Sequence, residues 1–76
     1  MVKTYTVVGG TVTVEGSKDR VTLLGAVPKP GFSATEEERS DPQKVVVKFE
    51  SSSHTSKIVI EWRDGKLVER VDEEND

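Results

Sequence analysis

Apolar and polar residues alternate along most of the chain, so side chains two positions apart share a face. Two segments show the alternation most clearly, with inward positions at Val45, Val47 and Phe49 and at Ile58, Ile60 and Trp62. A period of two is the pleat repeat of a β-strand with one buried face. The 3.6-residue period of an amphipathic helix is nearly absent. The pattern therefore predicts an all-β protein.

Turn signals separate the alternating segments. Gly9-Gly10 divides the first two, and the sequence predicts positive φ angles for both glycines in a tight hairpin turn. Asp64-Gly65 divides the last two and is among the strongest short hairpin signals. Six to seven short antiparallel strands at regular spacing are typical of a small two-layer β-sandwich, with an immunoglobulin-like arrangement as the leading topology and a small barrel as the alternative.

The middle of the chain is harder to assign. In residues 21–27, Val21, Leu23, Gly25 and Val27 share one face and Thr22, Leu24 and Ala26 the other, which predicts a third strand buried on both sides. Residues 28–31 contain two prolines and end that strand. From Phe32 onward an edge strand or extended loop is favoured. The alternative is a helical turn, because Thr35 and Glu38 have capping-box spacing.

The end of the chain is strongly acidic. Residues 66–71 are predicted as the last strand, whose facing stays open because Leu67 and Val68 are adjacent. Residues 72–76 carry four acidic side chains and no apolar residue, and they are predicted as a disordered tail. The sequence thus predicts a single domain over residues 1–71 followed by an acidic tail.

Length and charge exclude several classes of function. A chain of 76 residues has room for one hydrophobic core. Its 11 Lys and Arg against 14 Asp and Glu give a net charge of -3, which has the wrong sign for holding a phosphate backbone. No segment has the length of a membrane span or the apolar region of a signal peptide. We therefore expect neither nucleic acid nor membrane as a partner.

Candidate chemistry in the sequence is sparse. The chain contains no Cys and one His, which leaves too few ligands for zinc. His54 lies in a run of Ser and Thr, but a catalytic triad needs three-dimensional geometry that adjacency in a loop does not supply. It is predicted to be a solvated His in a polar loop over residues 51–55. The acidic runs 36–38 and 72–74 lack the spacing of a calcium loop.

These considerations predict no catalytic, cofactor-binding or metal-binding residue, and no cofactor. Tyr5, Phe32, Phe49 and Trp62 could form a base-stacking platform, but Phe49 and Trp62 fall on the apolar phase of their strands and are predicted to serve the core, with Trp62 as the central core residue. We therefore expect a monomeric structural or designed domain that is not an enzyme. The alternative is a protein-interaction module that binds through an edge strand or end loops, which a single exposed patch of Leu24, Val46 and Val59 would favour.

An ordered set of segments carries a family resemblance: residues 9–14, 21–23, 26–28, 30–32, 45–51 and 54–56. Together they resemble a small β-sandwich module at the C-terminal end of secreted or membrane-anchored actinobacterial proteins. The resemblance covers the chain from about Thr6 to Val71, and it implies an extracytoplasmic location but no activity. The matching residues are turn and core residues, which have low functional specificity.

The chain departs from that family at one point. The resemblance implies a cysteine pair in some members near the positions of Glu15 and Trp62, and this chain has none. The missing pair, with an initiator Met that leads straight into a strand, indicates an engineered or computationally generated sequence. Irregular loops at residues 28–31 and 51–55 are atypical of an idealised backbone, so we expect a redesign in the image of a natural family.

Overall fold

The computed structural model describes residues 1–18, 20–37 and 42–75. Within these ranges the chain forms seven β-strands and no helix. The strands are β1 (Val2–Val7), β2 (Gly10–Ser17), β3 (Arg20–Pro28), β4 (Ser33–Glu36), β5 (Lys44–Glu50), β6 (His54–Arg63) and β7 (Lys66–Asn75). The predicted all-β sandwich is confirmed, and so is the preference for a strand over a helical turn after Phe32.

The strands form two antiparallel sheets, ordered β1-β2-β3 and β4-β5-β6-β7. Within each sheet consecutive strands are neighbours, and among the described strands the chain passes from one sheet to the other between β3 and β4. In an immunoglobulin sandwich the chain passes between the sheets several times through Greek-key connections. The described strand order is instead two consecutive meanders.

The core lies between the sheets and consists of their inward side chains. Phe49, Ile58 and Ile60 are fully buried at its centre, because Val45 and Val47 of β5 pair directly with Ile60 and Ile58 of β6. The remaining buried apolar side chains are Tyr5, Val7, Val12, Val14, Val21, Val45 and Val47. Trp62 has the predicted inward phase, but it is only partly buried and packs against the margin of this cluster. The prediction of Trp62 as the central core residue is therefore wrong.

A β-bulge changes the facing of β3. The register shifts between Thr13 and Val14 of β2, which pair with Gly25 and Leu23 and leave Leu24 without a partner. One extra residue reverses the alternation beyond it. Val27 is consequently 68% exposed, and Leu24 is 52% exposed. The prediction that this strand is buried on both sides is wrong, because Thr22 and Leu24 on its outer face are exposed.

The two hairpin turns differ in their use of glycine. Asp64 and Gly65 adopt φ angles of 52° and 79°, the left-handed pair predicted for a two-residue hairpin. Gly9 and Gly10 do not have positive φ angles, so that prediction is wrong. A Cβ atom on Gly9 would lie 2.6 Å from the Cβ of Phe49, so the first turn needs glycine for close approach to the core.

Strand β7 is longer than predicted. It pairs with β6 over its whole length, from Lys66 opposite Arg63 to Asn75 opposite His54. The acidic segment 72–75 is therefore strand and not a disordered tail, and Asp76 lies outside the described residues. Leu67 packs against the core, which settles the facing that the sequence left open.

Candidate functional site

Three polar side chains meet at one end of the sandwich. His54 and Ser56 lie two positions apart on β6, and Glu73 lies opposite Ser56 on β7. All three have the inward phase of their strands, so they face the opposite sheet and not the outer surface. We call His54, Ser56 and Glu73 the turn clamp, because they hold the turn at Val8 and Gly9.

Glu73 is the centre of the turn clamp. The Nε2–H of His54 donates to its Oε1 at 2.8 Å, and the hydroxyl of Ser56 donates to the same oxygen. The backbone N–H of Val8 donates to its Oε2 at 3.0 Å, across 65 positions of sequence. One carboxylate therefore binds β6 and the β1–β2 turn simultaneously.

Ser56 provides a second connection to the same turn. Its Oγ accepts a hydrogen bond of 2.9 Å from the N–H of Gly9, and the residue is fully buried. The Val8 and Gly9 amides are thus both satisfied by the four-stranded sheet. A turn in one sheet is fixed by side chains of the other, which closes this end of the sandwich.

His54 is held in place from several directions. Its Nδ1 lies 2.6 Å from Oδ1 of Asn75, and its ring meets that of Phe32 edge to face, with centroids 6.2 Å apart. His54 is half-buried and belongs to β6. The prediction of a solvated loop histidine is wrong, because contacts from β7 and from Phe32 surround the ring.

The turn clamp contains serine, histidine and carboxylate, but not in a nucleophilic arrangement. In a catalytic triad the histidine accepts the proton of the serine, and the carboxylate orients the histidine from its other side. Here the carboxylate lies between the two, and the hydroxyl of Ser56 donates to Glu73. Because Ser56 is also fully buried, its oxygen is enclosed by the fold. The arrangement is that of a structural hydrogen-bond network.

The network changes the acidity of Glu73. Burial raises the pKa of this carboxyl, but hydrogen bonds from Ser56, Val8 and His54 and the charge of His54 together outweigh burial and lower the pKa from its ordinary value of 4.5. Donors that favour the ionised form explain this direction. The turn clamp is therefore built around an ionised Glu73.

A second polar group is enclosed on β1. The hydroxyl of Tyr5 is buried and has no hydrogen-bond partner within the described residues. Burial, followed by the negative charge of Glu69, raises the pKa of Tyr5 above its ordinary value of 10.0. The Nζ of Lys3 lies 5.4 Å from the centroid of the same ring. Tyr5 thus packs as a core aromatic whose polar end is unsatisfied.

The apolar residues considered as an interaction patch do not form one. Leu24 lies on the three-stranded sheet, whereas Val46 and Val59 are directly paired on the outer face of the four-stranded sheet. Val46 and Val59 are half-buried. The three residues therefore belong to opposite layers of the sandwich, which removes the observation that would have favoured binding at a single patch.

The remaining sequence candidates are metal-binding groups, a membrane span, the acidic run 36–38 and the core aromatic Phe49. In residues 1–18, 20–37 and 42–75, no group of three or more His, Asp or Glu side chains could hold a metal ion. No helix long and apolar enough to cross a membrane occurs in those ranges. Glu38 of the acidic run 36–38 lies outside the described residues. Phe49 is fully buried, as predicted for a core aromatic.

The alternation carried a signal that the sequence analysis missed. Ser56 continues the inward phase of Ile58 and Ile60, and Glu73 continues that of Leu67 and Val71. Two polar residues on inward phases of neighbouring strands indicate a hydrogen-bonded pair, because a buried polar group such as the hydroxyl of Ser56 requires a partner.

No family model matches the chain, and no curated protein or solved structure is significantly similar to it. The resemblance to an actinobacterial C-terminal module and the engineered origin therefore stay predictions from the sequence.

Proposed function

We propose that the chain is a structural β domain, a self-contained folding unit without biochemical activity of its own. The observation that carries the proposal is the turn clamp, in which the Ser, His and carboxylate groups join the two sheets. The side chains with chemically active groups are engaged in holding a turn.

The edges of the sheets support this proposal. Natural sandwiches protect edge strands with bulges, prolines, short length or inward-pointing charges, since a bare edge invites pairing with another chain. Here β3 has a bulge at Leu24 and ends at Pro28, and β4 is four residues long. β7 carries Glu69 in its inward phase, opposite Ile60. These features favour a monomer that does not recruit strands from other molecules.

Light scattering coupled to size exclusion, together with thermal unfolding, tests the proposal. We expect one monomeric species and a single cooperative transition that is the same at several protein concentrations. A concentration-dependent dimer, or a melt without cooperativity, would contradict a self-contained structural domain.

A protein-interaction module is the second candidate, and one observation favours it. Val2, Val8, Leu24 and Val27 are 51–68% exposed and all belong to the β1-β2-β3 sheet or its turn. Replacement of Leu24 and Val27 by Thr separates the two candidates. If these side chains serve binding, the double variant keeps the stability of the parent, whereas a loss above about 1 kcal/mol would assign them to the fold.

A further inference from the structure

The β1–β2 turn covers two aromatic rings. A Cβ atom on Gly9 would lie 2.9 Å from Cδ2 of Phe32, and one on Gly10 would lie 2.7 Å from Cε1 of Phe49. Both distances are shorter than a normal carbon contact, so the turn backbone lies directly against the rings. Phe49 has no exposed surface, and Phe32 is half-buried. Movement of the turn would therefore expose apolar surface at this end of the sandwich.

Within the described residues, two hydrogen bonds from this turn reach the opposite sheet. Val8 donates to Glu73 and Gly9 donates to Ser56, and both acceptors belong to the four-stranded sheet. The carbonyl of Gly9 accepts from the N–H of Lys29, which follows β3 in the turn's own layer. The bond to Lys29 does not cross between the sheets. The turn clamp accounts for the hydrogen bonds that hold the turn to the opposite layer.

The turn clamp depends on the ionisation of Glu73. Three donors converge on its two oxygens, from His54, Ser56 and the N–H of Val8. A protonated carboxyl group carries its own hydrogen and has less acceptor capacity. The two oxygens of the carboxylate offer about four acceptor positions, of which these donors use three, so an added proton takes the remaining position and removes the negative charge. Each hydrogen bond then loses its charge assistance, including the bond that holds Val8.

We propose that the β1–β2 turn is an acid-released lid, which opens when Glu73 is protonated and uncovers Phe32 and Phe49. The inference rests on the structural role proposed for the turn clamp and adds regulation to it. At neutral pH the lid is closed, and in acid it opens while the rest of the sandwich stays folded.

The direction of the pH effect follows from the acidity of Glu73. Its pKa is lowered in the folded protein, so the stabilisation is present above the ordinary value of 4.5 and is lost as the pH falls through the folded pKa. We therefore expect the lid to open below pH 4.5.

The surroundings of Glu73 leave His54 as its titratable partner within the described residues. Asp72 and Glu74 pair with Lys57 and Thr55 on the outward phase, and the turn presents backbone amides of Val8 and Gly9. Phe32 contributes an apolar ring next to His54. Glu69, four positions before Glu73 on β7, acts electrostatically on Tyr5 of β1, and Lys3 lies over the ring of Tyr5. Protonation of Glu73 removes the negative charge that faces His54.

An NMR titration of the labelled protein from pH 7 to pH 3 tests the lid. We expect the Val8 and Gly9 amide shifts to titrate together with a midpoint below 4.5. Their protection against hydrogen exchange should fall about tenfold or more, as for loss of a hydrogen bond to a charged group. Amides of the β5–β6 ladder, such as Ile60 and Val47, should keep their protection. A hydrophobic dye should bind over the same pH range.

A matched pair of variants completes the experiment. Glu73→Gln should reproduce the open turn at pH 7, with low protection at Val8 and Gly9 and no acid titration. Glu74→Gln removes an equal charge from the outward phase and should titrate like the parent. The lid is overturned if the Val8 and Gly9 amides keep their protection through the titration, or if they lose it only together with the β5–β6 ladder. The parent titration decides the question even if Glu73→Gln does not fold. If the protein is monomeric and unfolds cooperatively but the Val8 amide shows no pH response, the lid is refuted and the structural domain is not.

Discussion

Gly9 lies in the first hairpin turn because of what surrounds it and not because of its backbone angles. Its φ is not in the left-handed region, and a Cβ at this position would lie 2.6 Å from the Cβ of Phe49. Gly25, in the bulge region of β3, has no atom within 4 Å of a Cβ position. The same residue type therefore has opposite steric demands at these two sites.

Gly9→Ala should destabilise the protein by about 1–3 kcal/mol, because the added methyl group forces the turn away from Phe49. Gly25→Ala is the control and should be neutral or slightly stabilising, since alanine restricts the unfolded chain and finds open space. Chemical denaturation of both variants compares them directly. Equal destabilisation at the two sites would contradict the close-approach explanation.

Tyr5 carries a buried hydroxyl that has no hydrogen-bond partner among residues 1–18, 20–37 and 42–75. Tyr5→Phe removes this group while keeping the ring, so we expect a gain of up to about 1 kcal/mol in the free energy of unfolding. The raised pKa of Tyr5 means that stability is lost as the pH rises above 10.0, and the variant should lack this alkaline dependence. Urea melts at neutral and alkaline pH measure both effects. Destabilisation by Tyr5→Phe would mean that the hydroxyl has a partner, such as an ordered water near Glu69.

At the scale of whole elements, β7 contributes more than its composition predicts. Its last residues pair with the start of β6, and Glu73 within this segment holds Val8 of the first turn. Charged side chains here continue a strand because His54 and Ser56 present donors opposite them.

Deletion of residues 72–76 distinguishes a disordered tail from a functional strand end. We expect a loss of about 2–3 kcal/mol, because the turn clamp loses the acceptor of hydrogen bonds to a charged group. Deletion of residues 75–76 alone keeps Glu73 and should cost clearly less. A thermal or urea melt of the two truncated chains gives the answer, and an unchanged stability on removal of residues 72–76 would restore the tail prediction.

For the molecule as a whole, the tendency to self-associate depends on how the open edges of its sheets are protected. Glu69 interrupts the inward phase of β7 between Leu67 and Val71. An inward charge of this kind discourages a second strand from pairing there, since pairing would desolvate the carboxylate.

Glu69→Val would create a continuous apolar inward row from Leu67 to Val71 on β7, and we expect this variant to associate more strongly than the parent at equal concentration. Glu74→Val changes the same charge on the outward phase and should associate less. Sedimentation velocity over a concentration series compares the two variants with the parent. If both variants stay monomeric, the edge is protected by other features.

The sequence by itself determined the strands, because alternation and turn chemistry act between residues close in the chain. The β5 and β6 facings follow from the apolar phase of Val45 to Phe49 and of Ile58 to Trp62, and the Asp64-Gly65 turn follows from its own backbone preferences. These features need no knowledge of the rest of the fold. The sandwich class was predictable for the same reason.

Only the tertiary structure decided which residues lie at the centre and which groups meet. Burial of Phe49 and partial exposure of Trp62 depend on how far the opposing sheet extends. The bulge at Leu24 depends on pairing with β2, and the turn clamp joins Val8 to Glu73 across 65 positions. Such contacts form between segments remote in sequence, where local preference carries no information about the partner. His54 and the acidic end of β7 therefore resemble solvated segments in the sequence and become part of a hydrogen-bonded network that joins the two sheets.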